Sequence, residues 1–395
     1  MLQQQIANAI ESAYRYVKTH LYCEKTHLLY DHRLGDWSKL PTREETERAF
    51  PNPCGYGTGM EDSIINGAGM IDALLQRLRE QPSEQDRAFL HELLDGLLLT
   101  AEAGKDGFLP RSRIPSDGIS HYPDSSRDQY TLFLYAMWRL NAERAVNEGE
   151  LSRIRCAVVR IAERAIRNVT PENGYDLLRE DGGRSLVTTM WGEIGNHEMP
   201  RLPMLYLLAY DLSGEEAYLT RYMALREEML RGLLPMGHYW AAYCVAQMQM
   251  SLAVIRALDP DPAFRRKIHT VMCHVANFCT QSLPEYREKL VRKRDFRGEY
   301  PSFRDLACVP RKGVADGGLP NLAPVREGFD VFYNLQDAAN LLFTVALAGE
   351  DSAAPLAWMQ EVLLQLDFEK HMTGAPIQFL QAYYTWRRAY QTRSC

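Results

Sequence analysis

In residues 198–232, EMPRLPMLYLLAYDLSGEEAYLTRYMALREEMLRG, apolar residues recur three and four apart on both sides of Ser213-Gly214. That period belongs to amphipathic helices, and a serine and a glycine between two such runs mark a tight turn. The stretch therefore predicts two antiparallel helices, about 198–212 and 215–232, closed as a hairpin.

The same unit recurs in both directions along the chain. Helical periodicity predicts further segments at about 2–20, 61–80, 84–104, 128–144, 150–168, 238–257, 261–281, 330–348, 353–367 and 376–391. Links after the even-numbered helices are tight: Gln81-Pro82-Ser83, 145–149, Ser213-Gly214, Asp259-Pro260 and 349–352. Links after the first, third, fifth and ninth are long, about 21–60, 105–127, 169–197 and 282–329. Hairpins in succession put every long link at the same end, and a long irregular loop in a compact domain is usually functional. The expected fold is all-α, one (α/α)6 barrel of six helical hairpins spanning 1–395. An open solenoid is the alternative, disfavoured because the units are unequal and share no recurring motif.

Composition sets the outer limits. Hydrophobic residues at 46% and charged residues at 24% suit a globular chain with a large core. A net charge of −6 speaks against a nucleic-acid partner, which needs a basic surface. The eight cysteines form no CxxC pair and several lie in apolar helical runs, so reduced core thiols are expected. The first residues lack a basic segment followed by an apolar core, and no apolar run reaches the ~18 residues of a membrane span. These features predict a cytoplasmic monomer or homodimer with no membrane partner.

If the long links feed the even-numbered helices, the first turns of those helices share one rim. They hold the unusual residues: Gly57 to Ser63, Ser125 to Tyr130, Trp191 to Glu198, Gly237 to Trp240 and Glu327 to Asp330. An acid at a helix start has an innocent role as a cap. Asp62 and Asp128, however, open consecutive even helices, and paired carboxylates are what glycosidic chemistry requires: one protonated as acid, the other ionised. Glu61 faces about 100° away from Asp62, so only one of the two points inward, and Asp62 is favoured. Trp191, Tyr56 and Tyr239 are candidate stacking platforms, and Arg111, Arg127 or His197 candidate partners for a sugar carboxylate. Glu61, Glu193 and His238 complete the candidate substrate contacts. His197, Glu198, His238 and Asp330 lack a recognised metal spacing, so neither metal nor cofactor is expected. The basic run from Arg287 to Arg297 reads as a solvated face, with an anion-collecting edge as its rival.

Twelve helices in six hairpins, with aspartates opening the second and fourth, resemble the six-hairpin glycosidases. The nearest subset is the unsaturated glucuronyl and rhamnogalacturonyl hydrolases of glycoside hydrolase families 88 and 105, with related β-glucuronidases. The likeness covers the whole chain as architecture and two aspartates with some aromatics as motif. It implies Asp128 as general acid/base, Asp62 as the supporting aspartate, no metal, and an oligosaccharide containing uronic acid as substrate. The flanks Met60-Glu61-Asp62 and Ser126-Arg127-Asp128 depart from the family pattern, which leaves hydration of an unsaturated uronate and plain uronoside hydrolysis both open. A sugar epimerase of the N-acylglucosamine 2-epimerase type is the alternative enzyme, with His197, His238 and His371 as acid and base. A helical-barrel dehydratase and a non-catalytic carbohydrate-binding protein stand behind it.

Overall fold

A computed structural model of the chain describes residues 2–185, 187–233, 241–292, 299–310, 318–321, 326–349, 367–370 and 373–391. It is mostly helical, 67% helix against 4% strand. Chain order runs α1 (Leu2–Tyr16), α2 (Arg43–Glu47), α3 (Ser63–Glu80), α4 (Glu84–Ala103), α5 (Arg127–Ala142), α6 (Glu148–Asn168), α7 (Arg201–Ser213), α8 (Glu216–Leu233), α9 (Ala242–Leu258), α10 (Pro262–Arg292), α11 (Arg326–Ala348) and α12 (Ala375–Gln391). Two short antiparallel ribbons, Tyr22–Cys23 with Leu28–Leu29 and Cys308–Val309 with Leu319–Pro320, lie within the long links.

Local chemistry sets the borders. Ser83, Ser126 and Asn147 each accept a backbone N–H three residues on and so start α4, α5 and α6. α7 stops where Gly214 turns to φ 75°, a left-handed conformation that glycine adopts without strain. Four expected borders move, one of them the start of α11, at Arg326 where 330 was expected. The first helix changes to a π-helical turn over Val17–Leu21. The ninth passes its expected end at 281 and runs through Pro284 to Arg292, so 282–292 is helix rather than link. The eighth begins at Ala242 among the described residues. The helix expected at 353–367 lies, but for its last residue, outside the described residues.

Packing follows a regular pattern. α3 touches α4, α5 and α12; α5 touches α7 and α9; α7 touches α6, α8 and α9; α11 touches α9, α10 and α12; and α1 lies on α12. The apolar residues between them form one contiguous core, including Leu74, Leu97, Phe133, Leu205, Val245, Leu342 and Phe379. One ion pair is sealed inside it. Asp72 of α3 accepts Arg139 Nε of α5 at 2.8 Å and Gln381 Nε2 of α12 at 3.1 Å, which ties three helices at one buried charge pair. All the described cysteines are free thiols, with Cys23, Cys54, Cys244 and Cys279 buried. Among the described residues no helix is long and apolar enough to cross a membrane.

Candidate active site

Asp62 occupies the residue before α3, where an aspartate ordinarily caps the helix, yet its side chain makes no capping bond. The carboxyl meets other elements instead. Oδ1 accepts Gln129 Nε2 from α5 at 3.0 Å and lies 3.9 Å from Arg111 Nη1. The side chain keeps 42% of its surface accessible, so a ligand can reach it. Burial nevertheless pushes its proton affinity above the usual carboxylate range. Asp128 adds to that rise, while Arg111 and the Gln129 bond work against it.

Asp128 sits in the first turn of α5. Because Ser126 supplies the cap, the Asp128 carboxyl is left to pair with Arg201 Nη1 of α7 at 2.7 Å. Burial works to raise its pKa, but Arg201, by charge and hydrogen bond, with Arg127 and Arg111 behind it, holds Asp128 below the ordinary carboxylate value. Neighbouring helix starts therefore carry two carboxyls with opposite tendencies, one toward protonation and one toward charge. Residue spacing alone cannot separate two such aspartates; their partners do.

Around this pair the expected residues divide. Arg111 is 3% exposed and donates to Glu61 O at 3.2 Å, Ser125 O at 3.1 Å and Tyr56 Oη at 2.8 Å, with its guanidinium 4.6 Å over the Tyr56 ring. One face of Tyr56 is thus taken by Arg111. The Glu61 carboxylate turns to the Gly57 N–H. Arg127 is ion-paired with Glu198 and donates to Thr189 O at 2.9 Å. Trp191 is 8% exposed and packed into the core, and Glu193 is exposed on the turn beside it. The His197 imidazole lies 3.8 Å from Glu198; burial first, with Arg201 and Arg127, lowers its pKa and keeps it neutral. His238, Tyr239 and His371 lie outside the described residues.

Five residues at the site were not among the site residues expected from the sequence, although Gln129 lies in the stretch Ser125 to Tyr130 singled out there. Arg201 and Gln129 hold the two aspartates. Tyr243, 45% exposed at the head of α9, and Cys244, pushed up to about 11 by burial, both feel the charge of Asp128. The fifth is Asp31, in the long link before α2. Its Oδ1 accepts the Asp62 N–H and Asn66 Nδ2, both at 3.0 Å, and its Oδ2 accepts the Glu61 N–H. One signal for Arg201 was available: a cation at a helix start opposes the dipole, so it asks for an anion nearby. Asp31 gave none, because it lies in an irregular stretch without period.

No group of His, Cys, Asp or Glu suited to a metal ion occurs among the described residues. No protein-family model, curated protein or solved structure matches the chain.

Proposed function

We propose that this chain is a glycoside hydrolase of (α/α)6 architecture acting on oligosaccharides that contain uronic acid. The observation that carries the proposal is the Asp62 and Asp128 pair: carboxyls on adjacent helix starts, one raised in proton affinity by burial and the other held ionised by Arg201. Support for the barrel comes from α3, α5, α7, α9, α11 and α12, each packed on the next, with α12 returning to α3. Of the three guanidinium groups around the pair, Arg111 and Arg201 are buried, and Arg127, 18% exposed, is the one that supports an acidic sugar.

The electrostatics favour roles opposite to those the family resemblance implies. Asp62 is the proton donor and Asp128 the ionised partner that activates water or steadies positive charge on the sugar. With an unsaturated uronate, Asp62 gives its proton to the vinyl-ether carbon, and water adds to the resulting cation while Asp128 takes the water's proton. With a saturated uronoside, Asp62 protonates the leaving oxygen. Either way, activity falls at high pH as Asp62 ionises and at low pH as Asp128 is protonated, and the basic limb belongs to Asp62.

The test is turnover of saturated and unsaturated uronic-acid oligosaccharides, followed by product analysis and by loss of the conjugated-uronate absorbance. Asp62→Asn and Asp128→Asn should each lower kcat by about 10²–10⁴-fold. Wild-type turnover in either variant overturns the pair. A second reading, sugar epimerisation, draws on the neutral His197 imidazole within electrostatic reach of Asp128. It requires an isomerised sugar as product, where the hydrolase reading requires a cleaved one.

A further inference from the structure

Asp62 stands where a capping side chain belongs and does not cap. The N–H groups at a helix start still need acceptors. That of Ile64, which a capping Asp62 would take, goes to the Arg111 carbonyl at 3.2 Å, while those of Glu61 and Asp62 bond the two oxygens of Asp31, joined by the Asn66 side-chain amide. Asp31 is itself fixed through its backbone. Its N–H donates to Gly59 O at 3.2 Å and its carbonyl accepts the Gly374 N–H at 2.8 Å, just ahead of α12. It is 7% exposed, beyond easy reach of a ligand.

We propose that Asp31 is a positioning residue for Asp62: by holding the N–H groups of Glu61 and Asp62 it fixes the turn ahead of α3 from which the Asp62 carboxyl faces Gln129 and Arg111. The inference rests on the reading of Asp62 as the proton donor, but its geometry stands without any substrate. Three N–H donors converge on Asp31, which fits an ionised carboxylate and leaves no acceptor for a proton on it. Burial and the nearby carboxyls of Asp62 and Glu61 push Asp31 up, the N–H bonds of Glu61 and Asp62 work against that rise, and on this donor geometry the proton shared by the two crowded carboxyls is assigned to Asp62. The charged groups facing the two are Glu61 on the same turn, Arg111 from the link before α5 and Asp128 of α5. Removing the Asp31 charge removes a like charge near Asp62 and lowers the pH at which Asp62 ionises.

The experiment is carboxyl ¹³C NMR of the full chain labelled at aspartate, titrated with pH in the native protein, Asp31→Asn and Asp62→Asn. Asp31→Asn should shift the Asp62 midpoint down by about one pH unit. Asp31 ionises while Asp62 is still protonated, so Asp62→Asn should leave the Asp31 midpoint where it is. Asp62 is the more accessible of the two, so that variant keeps the test in hand should Asp31→Asn fail to fold. A lowered Asp31 midpoint in Asp62→Asn, which would put the shared proton on Asp31, or an unmoved Asp62 midpoint in a folded Asp31→Asn, overturns the proposal. The readout needs no turnover, so a chain that cleaves no sugar refutes the hydrolase reading and leaves this one intact.

Discussion

A carboxyl whose pKa is raised in the folded state stabilises the fold while it stays protonated, and that stability is lost as pH rises. For Asp62 the effect is fully present below the unfolded aspartate value, about 3.9, and gone above its own raised value. Asp62→Asn keeps an acceptor for Gln129 and removes the penalty. It should therefore be more stable than the native chain at pH 8 by about 1 kcal/mol, a figure held low because the side chain keeps 42% of its surface in solvent. Near pH 3.5 the gain should vanish. Urea denaturation at both pH values checks this, and equal stability of the two proteins at pH 8 sinks the assignment of a strained acid. At this scale the sequence showed Asp62 and Asp128, because a helix start can be located from periodicity. It did not show Asp31 or Arg201, since ion pairs and borrowed caps depend on which links fold back onto which helix, and a linear pattern holds no record of that.

At the scale of single elements, the predicted helices lie close to the observed ones wherever a cap or a turn residue marks the border. Where they differ, a local signal was outweighed. The helix expected to end at 281 runs on through Pro284, because a proline removes a single backbone donor and good helix formers such as Glu285 and Lys289 follow it. Glycine carries the opposite lesson in α4. Gly96 costs a helix interior about 1 kcal/mol relative to alanine, so propensity alone recommends Gly96→Ala. Its place in the fold argues otherwise: a Cβ at this position would stand 2.1 Å from the His27 carbonyl oxygen, because the turn after Tyr22–Cys23 lies directly on the helix. Gly96→Ala is expected to lose about 1–2 kcal/mol once the overpacking is set against the propensity gain. Thermal or urea unfolding decides it, and a net gain would show that the ribbon yields without cost.

The whole molecule turns on whether its helices close on themselves. In an open stack of hairpins each unit touches only its neighbours, so damage at one end unfolds that end and spares the other. In a closed ring the last helix supports the first. The seam between α3 and α12 is where the two differ: an added Cβ at Gly69 of α3 would lie 3.3 Å from both Gln381 Oε1 and Ile377 Cγ2 of α12, so the helices approach closely at this glycine. The Asp72, Arg139 and Gln381 bonds sit on the same seam and link it to α5. Gly69→Leu forces α3 and α12 apart and should cost at least about 3 kcal/mol, since the bulk strains the contact and loosens a buried ion pair together. The form of the loss is the deciding observation. Closure requires that calorimetry still show one transition, moved down as a whole, and that amide exchange accelerate in α7 and α9 as well as at the seam. Should α12 melt alone, ahead of an unshifted main transition, the helices form an open array. The shared end that brings Asp62, Asp128 and Arg201 together would then rest on α3, α5 and α7 alone.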